Sequence, residues 1–132
     1  MRQAVVEAIK RLGLTGYGVS SELPYDSSGT SLYIKNPKRV YVDNEQSNEE
    51  PLFLTMGSPS ADVFNTTTAV TVFIAVDAKN KPANYDTTLR QLRDMKNDIV
   101  WEGSTSRTVN IEQLFEGDLL ISELTYEFTR IT

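Results

Sequence analysis

The side chains of this sequence that could take part in acid–base or nucleophilic chemistry are carboxylates, lysines, tyrosines and hydroxyls, because its 132 residues include no histidine and no cysteine. This composition removes imidazole bases, thiolate nucleophiles, disulfides and Cys/His zinc sites. We therefore expect a protein that is not an enzyme and that carries no cofactor.

Paired carboxylates are the remaining candidates for catalysis, and they occur as Glu49/Glu50, Glu116/Asp118 and Glu123/Glu127. A catalytic pair needs one carboxyl with a raised pKa, which requires a partly buried site. The first two pairs lie in polar segments and the third on the outer side of a predicted strand, so we interpret all three as solvated charges.

Metal and phosphate sites are not predicted either. The oxygen-rich run at residues 43–45 lacks the spacing and the glycine of an EF-hand loop. No GxxxxGK[ST] or GxGxxG pattern occurs, and residues 103–107 (GSTSR) are more simply interpreted as a flexible connection after a helix.

Length and composition predict one globular domain over residues 1–132, with 39% hydrophobic and 23% charged residues. No apolar run approaches the roughly 20 residues of a membrane helix, and the N-terminal segment is too polar for a secretory signal, so we expect a cytosolic site of synthesis. The net charge of −5 argues against nucleic-acid binding. Residues 1–42 are net basic and residues 102–132 net acidic, a split that suits head-to-tail contact between copies.

Hydrophobic periodicity predicts two helices, at residues 2–12 and from Asn84 to about Trp101. Period-two alternation predicts long strands at residues 67–80 and 119–129. Short strands are predicted at residues 31–35, 38–43, 51–56 and 107–111, and loops at residues 16–29, 43–50 and 57–65. The fold class is therefore α+β, with a mainly antiparallel β-sheet, two α-helices packed on one face and long loops.

The long strand at residues 67–80 has one apolar face for the core and a second face whose side chains are mostly small or apolar. This second face is too apolar to be a purely solvated surface, and it lacks the polar groups of a catalytic pocket. We therefore expect it to contact a neighbouring subunit. Aromatic and apolar residues in or beside polar loops are common anchors of protein contacts, although local burial under folded-back loops explains them equally well. The candidate subunit or partner interface comprises Thr71, Phe73, Ala75, Phe53, Val63, Phe64, Arg39, Tyr41 and Trp101.

The order of elements resembles the tail terminator proteins of long-tailed, lambda-type bacteriophages. The resemblance is carried by a short N-terminal helix, the strand TTAVTVFIAVDA, the amphipathic helix NYDTTLRQLRDMKNDIV and the final strand LLISELTYEFTRI, and it covers nearly the whole chain. It implies a structural virion protein, assembled in the bacterial cytoplasm, that forms a homo-hexameric ring on the tail tube. Its implied partners are the tail tube protein and the head connector protein. An acidic lumen would repel passing DNA, so no specific nucleic-acid binding is expected.

Two other interpretations stay open at the level of sequence. One is a head-completion or connector protein of the virion neck, since such proteins share the same α+β plan. The other is a small protein-binding module of the inhibitor type that uses the open strand face.

Overall fold

In the part of the chain that the structure describes, a mixed sheet of six strands, with helices packed on one face, forms the framework of the protein. The computed structural model describes residues 1–20, 23–25, 39–51, 64–99 and 104–131. The helices are α1 (Arg2–Leu12) and α2 (Tyr85–Asp94), and a 3₁₀ turn (Met95–Asp98) continues α2. The strands are β1 (Gly18–Val19), β2 (Arg39–Val42), β3 (Gln46–Pro51), β4 (Phe64–Asp77), β5 (Ser104–Glu116) and β6 (Leu119–Ile131). The α+β prediction is confirmed.

The strands follow the order β1-β2-β4-β6-β5, and β3 pairs with β4 beyond the end of β2. Strand β1 is parallel to β2, whereas the other pairs are antiparallel. The central pair β4–β6 runs in register from Asn65↔Ile131 to Asp77↔Leu119. Because register fixes which side chains share a face, this long ladder separates the even and odd positions of β4 along its whole length.

The main core lies between the even face of the sheet and the helices, as the periodicity predicts. Val70, Val72 and Ile74 are fully buried there, and α1 contributes Val5 and Ile9. Helix α1 ends at Gly13, whose φ of 59° is the left-handed conformation that glycine adopts without steric cost. Both helices therefore lie on the face of the sheet that the sequence assigned to them.

The second helix is shorter than predicted. It ends at Asp94, the 3₁₀ turn ends at Asp98, and Ile99 is extended with φ −88° and ψ 117°. Asn84 occupies the N-cap position, but its side-chain amide donates to the carbonyl of Thr15 at 3.1 Å instead of capping the helix. The apolar spacing continues through the 3₁₀ turn because Met95 and Ile99 are both buried, so spacing alone did not indicate where the α-helix stops.

Two strands at the margins of the sheet differ from the predictions: β3 was predicted mostly as a loop, and β5 is longer than the predicted strand. The predicted loop at residues 43–50 contains most of β3, and β5 has 13 residues, including residues 104–106 that were expected to form a flexible connection. Both strands are largely exposed where their side chains are described, so they have no apolar alternation to reveal them. Their pairing with the central strands defines them, and in β3 it includes a hydrogen bond of 3.0 Å between the hydroxyls of Ser47 and Thr68.

The remaining boundaries differ by smaller amounts. Strand β4 begins at Phe64, inside the predicted loop at residues 57–65, and ends at Asp77 rather than at residue 80. Strand β2 lies within the predicted strand at residues 38–43, β6 extends two residues beyond the predicted 119–129, and β1 interrupts the predicted loop at residues 16–29. The predicted strand at residues 31–35 and residues 52–63 lie outside the described residues.

Candidate interaction surfaces

The face of the sheet turned away from the helices, here called the outer face, carries a second apolar cluster. Tyr41, Phe73, Ala75 and Ile121 form it, and none of them is more than 6% exposed. Tyr41 and Phe73 are Cα partners on adjacent strands, as are Ala75 and Ile121. The outer face is therefore dry at this point, as predicted, but its apolar side chains are already buried within the chain.

The predicted interface residues thus divide into several groups. Tyr41, Phe73 and Ala75 are buried, which corresponds to the alternative of local burial, and their contact with another subunit stays a prediction. Thr71 is half-buried and its hydroxyl lies 3.2 Å from that of Thr125 on β6. Phe64 is half-buried at the start of β4, and Arg39 is exposed on β2. Phe53, Val63 and Trp101 lie outside the described residues.

Two carboxylates oppose each other on the outer face, next to the second apolar cluster. Glu112 and Glu123 are direct Cα partners on β5 and β6, so two like charges oppose each other. Partial burial, and secondarily the charge of Glu112, raise the pKa of the Glu123 carboxyl. The sequence paired Glu123 with Glu127 instead, because the register of β5 against β6 was not known from the sequence.

Tyr25 joins this acidic region from the segment at residues 23–25. Its hydroxyl donates a hydrogen bond to the carboxylate of Asp43. This bond, followed by burial and then by the charges of Asp43 and Glu123, raises the pKa of Tyr25 to about 12. Tyr25 is therefore a neutral hydrogen-bond donor at neutral pH that ties the segment to the outer face.

The other carboxylate pairs lie at exposed positions of the sheet. Glu49 and Glu50 are consecutive on β3, so they project to opposite faces, and both are exposed. Glu116 and Asp118 are exposed at the turn between β5 and β6. Among the described residues, no group of three or more His, Cys, Asp or Glu side chains could hold a metal ion.

The β5–β6 hairpin ends in a two-residue loop, Gly117-Asp118, which the amide of Ala78 holds by donating to the carbonyl of Asp118 at 2.9 Å. Phe115, just before the loop, is 72% exposed. It lies on the helix side of the sheet, since its Cα partner Leu120 belongs to the main core. We refer to residues 115–118 as the hairpin end. Phe115 lies beyond the strand predicted at residues 107–111, so it was not among the predicted interface residues.

A pocket of about 250 Å³ lies at the C-terminal end of α1. It is lined mainly by apolar groups, with one lysine and one tyrosine: Ile9, Lys10, Gly13, Leu14, Tyr17 and Val19. Tyr17 is 8% exposed, and its buried hydroxyl has no hydrogen-bond partner among the described residues. Lys10 is exposed in the last turn of α1, which places a basic group on the rim of this pocket.

Comparison with solved structures finds a chain with a similar fold. A chain from a structure described as the virion of a native gene transfer agent particle matches with a TM-score of 0.59 and 13% sequence identity. The match covers 100% of this chain and 95% of the other. The two chains share a fold. Neither a protein-family model nor a curated protein matches the sequence.

In this protein the hairpin end and the pocket lie near opposite edges of the sheet. The pocket adjoins β1, the first strand in the order, and the hairpin end belongs to β5 and β6, the last two. Four strand spacings separate β1 from β5, which is about 19 Å at the usual spacing. In the part of the chain that the structure describes, no helix is long and apolar enough to cross a membrane.

Proposed function

We propose that this protein is a structural subunit of a phage-like virion, and that it acts as a tail terminator. In this role a ring of copies caps the tail tube, ends its polymerisation and provides the surface for joining the head. The observation that carries the proposal is the fold likeness to a chain of a gene transfer agent virion, which extends over the whole of this chain. The terminator role itself rests on the order of the elements in the sequence and on the apolar pattern within them.

The distribution of charge supports assembly from identical copies. The described helical segments, residues 1–20 and 78–99, contain eight Lys or Arg and four Asp or Glu. The described strand segments, residues 39–51, 64–77 and 104–131, contain three Lys or Arg and ten Asp or Glu. One copy therefore offers a basic region and an acidic region, which favours contact between unlike surfaces of neighbouring copies. Contacts of this kind close into rings when the rotation between copies permits.

The test uses the purified protein with tail tubes assembled from the tube protein of the same virus. We expect rings of several copies at tube ends in negative-stain images, and tubes that stop growing once the protein is added. Tubes incubated with buffer alone provide the growing control. A protein that stays monomeric at high concentration and leaves tube growth unchanged would contradict the proposal.

A head-completion or connector protein is the second candidate, because the matching chain belongs to a complete virion and so suits the neck as well as the tail. The same purified protein is offered to DNA-filled heads that lack tails. Binding to the portal end of these heads, without binding to tubes, would favour the connector. Binding to tube ends before any head is added would favour the terminator.

A further inference from the structure

We propose that the hairpin end of one copy docks into the pocket at the C-terminal end of α1 of the next copy. The inference deepens the proposed function, on which it rests for the existence of an assembly, by naming the two surfaces that meet. Phe115 is the apolar anchor, and the acidic groups beside it contact the basic rim of the pocket.

The apolar part of the contact follows from Phe115. A phenylalanine that is 72% exposed at the end of a hairpin leaves an apolar ring in water, and such side chains are typical anchors of interfaces when a partner pocket is present. The pocket offers the side chains of Ile9, Leu14 and Val19. Its volume of about 250 Å³ exceeds the 150 Å³ cavity that accommodates a benzene molecule in another protein, so a phenyl ring fits.

The polar part of the contact is complementary in charge. Glu116 precedes the loop of the hairpin, Asp118 is part of the loop, and both are exposed. Lys10 lines the pocket and is exposed as well. A carboxylate that approaches this rim forms a charge-assisted hydrogen bond with the Lys10 ammonium group.

The positions of the two surfaces exclude an internal contact and suit a chain of copies. The hairpin end and the pocket are about 19 Å apart across the sheet, so one copy cannot fill its own pocket. Both features lie on the helix side of the sheet, near the end of β4 that carries Asp77. Copies placed edge to edge with their helices on the same side would therefore bring a hairpin end toward a pocket at every junction. Such a head-to-tail contact is heterologous, which is the type that generates rings.

The absence of native cysteine allows a direct test by cross-linking. Lys79→Cys places a thiol beside the hairpin end, because the amide of the neighbouring Ala78 donates to the carbonyl of Asp118. Thr15→Cys places a thiol next to Leu14, and both substituted positions are exposed. Phe115, Glu116, Asp118 and Lys10 stay intact in these variants. The two single variants, one of them carrying a mass tag, are mixed and treated with a short bis-maleimide. We expect roughly tenfold more mixed dimer than in a control mixture of Thr15→Cys with Asn48→Cys, because contact raises the effective concentration of the two thiols. Equal yields in the two mixtures would overturn the proposal.

A second comparison tests the anchor itself. Phe115→Ala, added to the Lys79→Cys variant, should reduce the mixed dimer to the level of the control mixture. Ile131→Ala is the matched control, since Ile131 is an exposed apolar strand residue at the opposite end of β6, and it should leave the yield unchanged. Cross-linking that survives Phe115→Ala would show that the hairpin end is not anchored by this ring.

The capping of tail tubes by the unmodified protein separates this inference from the proposed function. Capping without specific cross-linking would overturn the docking contact and leave the terminator role standing. Specific cross-linking without capping would retain the contact and count against the terminator role.

Discussion

Tyr126 is a single buried polar residue that connects the sheet to α2. Its hydroxyl donates to the carbonyl of Leu92, and burial raises the pKa of the phenol. Tyr126→Phe keeps the ring but leaves the buried carbonyl without this donor, so we expect the free energy of unfolding to fall by about 1–2 kcal/mol. Urea denaturation followed by circular dichroism measures this loss. An unchanged urea midpoint would mean that the carbonyl finds another donor.

Glu123 makes the stability of the protein depend on pH. Its pKa is raised above the ordinary value of 4.5 by partial burial and by Glu112, so the folded state binds more protons than the unfolded state between the two pKa values. The contribution of Glu123 to stability therefore decreases as the pH rises through this window. Glu123→Gln should be more stable than the parent by about 0.2–1 kcal/mol at neutral pH. The advantage should vanish below pH 4.5.

The matched control for this effect is Glu127→Gln. Glu127 lies on the same strand and the same face, but its Cα partners are Thr108 and Ala69 rather than a carboxylate. Chemical denaturation at a series of pH values should show no comparable gain for the control. A similar gain in both variants would mean that net charge, rather than the opposing Glu112, is responsible.

At the scale of elements, the turn between β5 and β6 depends on Gly117. Its φ of 59° is unfavourable for other residues, whereas a Cβ at this position would meet no atom within 4 Å. Gly117→Ala should therefore cost about 1–2 kcal/mol through the backbone alone. Gly117→Asn should cost less, because asparagine tolerates positive φ better. Gly18→Ala, at a glycine that also has open space but no positive φ, should be close to neutral in the same denaturation assay.

Elements with a buried face could be predicted from the sequence, and exposed elements could not. Strands β4 and β6 alternate because one face of each packs into the main core, and α1 was placed correctly for the same reason. Strand β3 has the sequence QSNEEP, which contains no apolar alternation, and it is a strand because β4 offers it a partner. Propensity and pattern describe a segment by itself, whereas an edge strand is determined by its neighbour.

In the candidate interaction surfaces, too, features that follow from a local sequence pattern could be predicted, whereas features that depend on neighbouring elements could not. The dryness of the outer face could be predicted from Phe73 and Ala75, but not that Tyr41 and Ile121 complete a buried cluster with them. Glu112 and Glu123 meet only through the register of two strands that are connected by a short turn. The exposure of Phe115 depends on where the helices end over the sheet, which no local pattern reports.

At the scale of the whole molecule, the basic helical segments and acidic strand segments predict that the proposed association of copies is sensitive to salt. The screening length falls from about 10 Å at 0.1 M salt to about 3 Å at 1 M. We therefore expect the dissociation constant for self-association, measured by analytical ultracentrifugation, to rise across this range. Phe115→Ala should weaken association at every salt concentration, because the loss of apolar burial is not screened.

Charge reversal tests whether the basic and acidic regions of neighbouring copies attract each other through the proposed contact between hairpin end and pocket. Lys10→Glu and Glu116→Lys should each weaken association by roughly two- to fivefold at low salt, the range of an exposed ion pair. The double variant exchanges the two charges across the interface, so it should recover most of the affinity of the parent. Arg90→Glu, which reverses an exposed charge on α2 away from the pocket, is the control for Lys10→Glu. If the loss of affinity in the double variant equalled the product of the losses in the two single variants, the two charges would not meet. The basic and acidic regions would then act on each other only at long range.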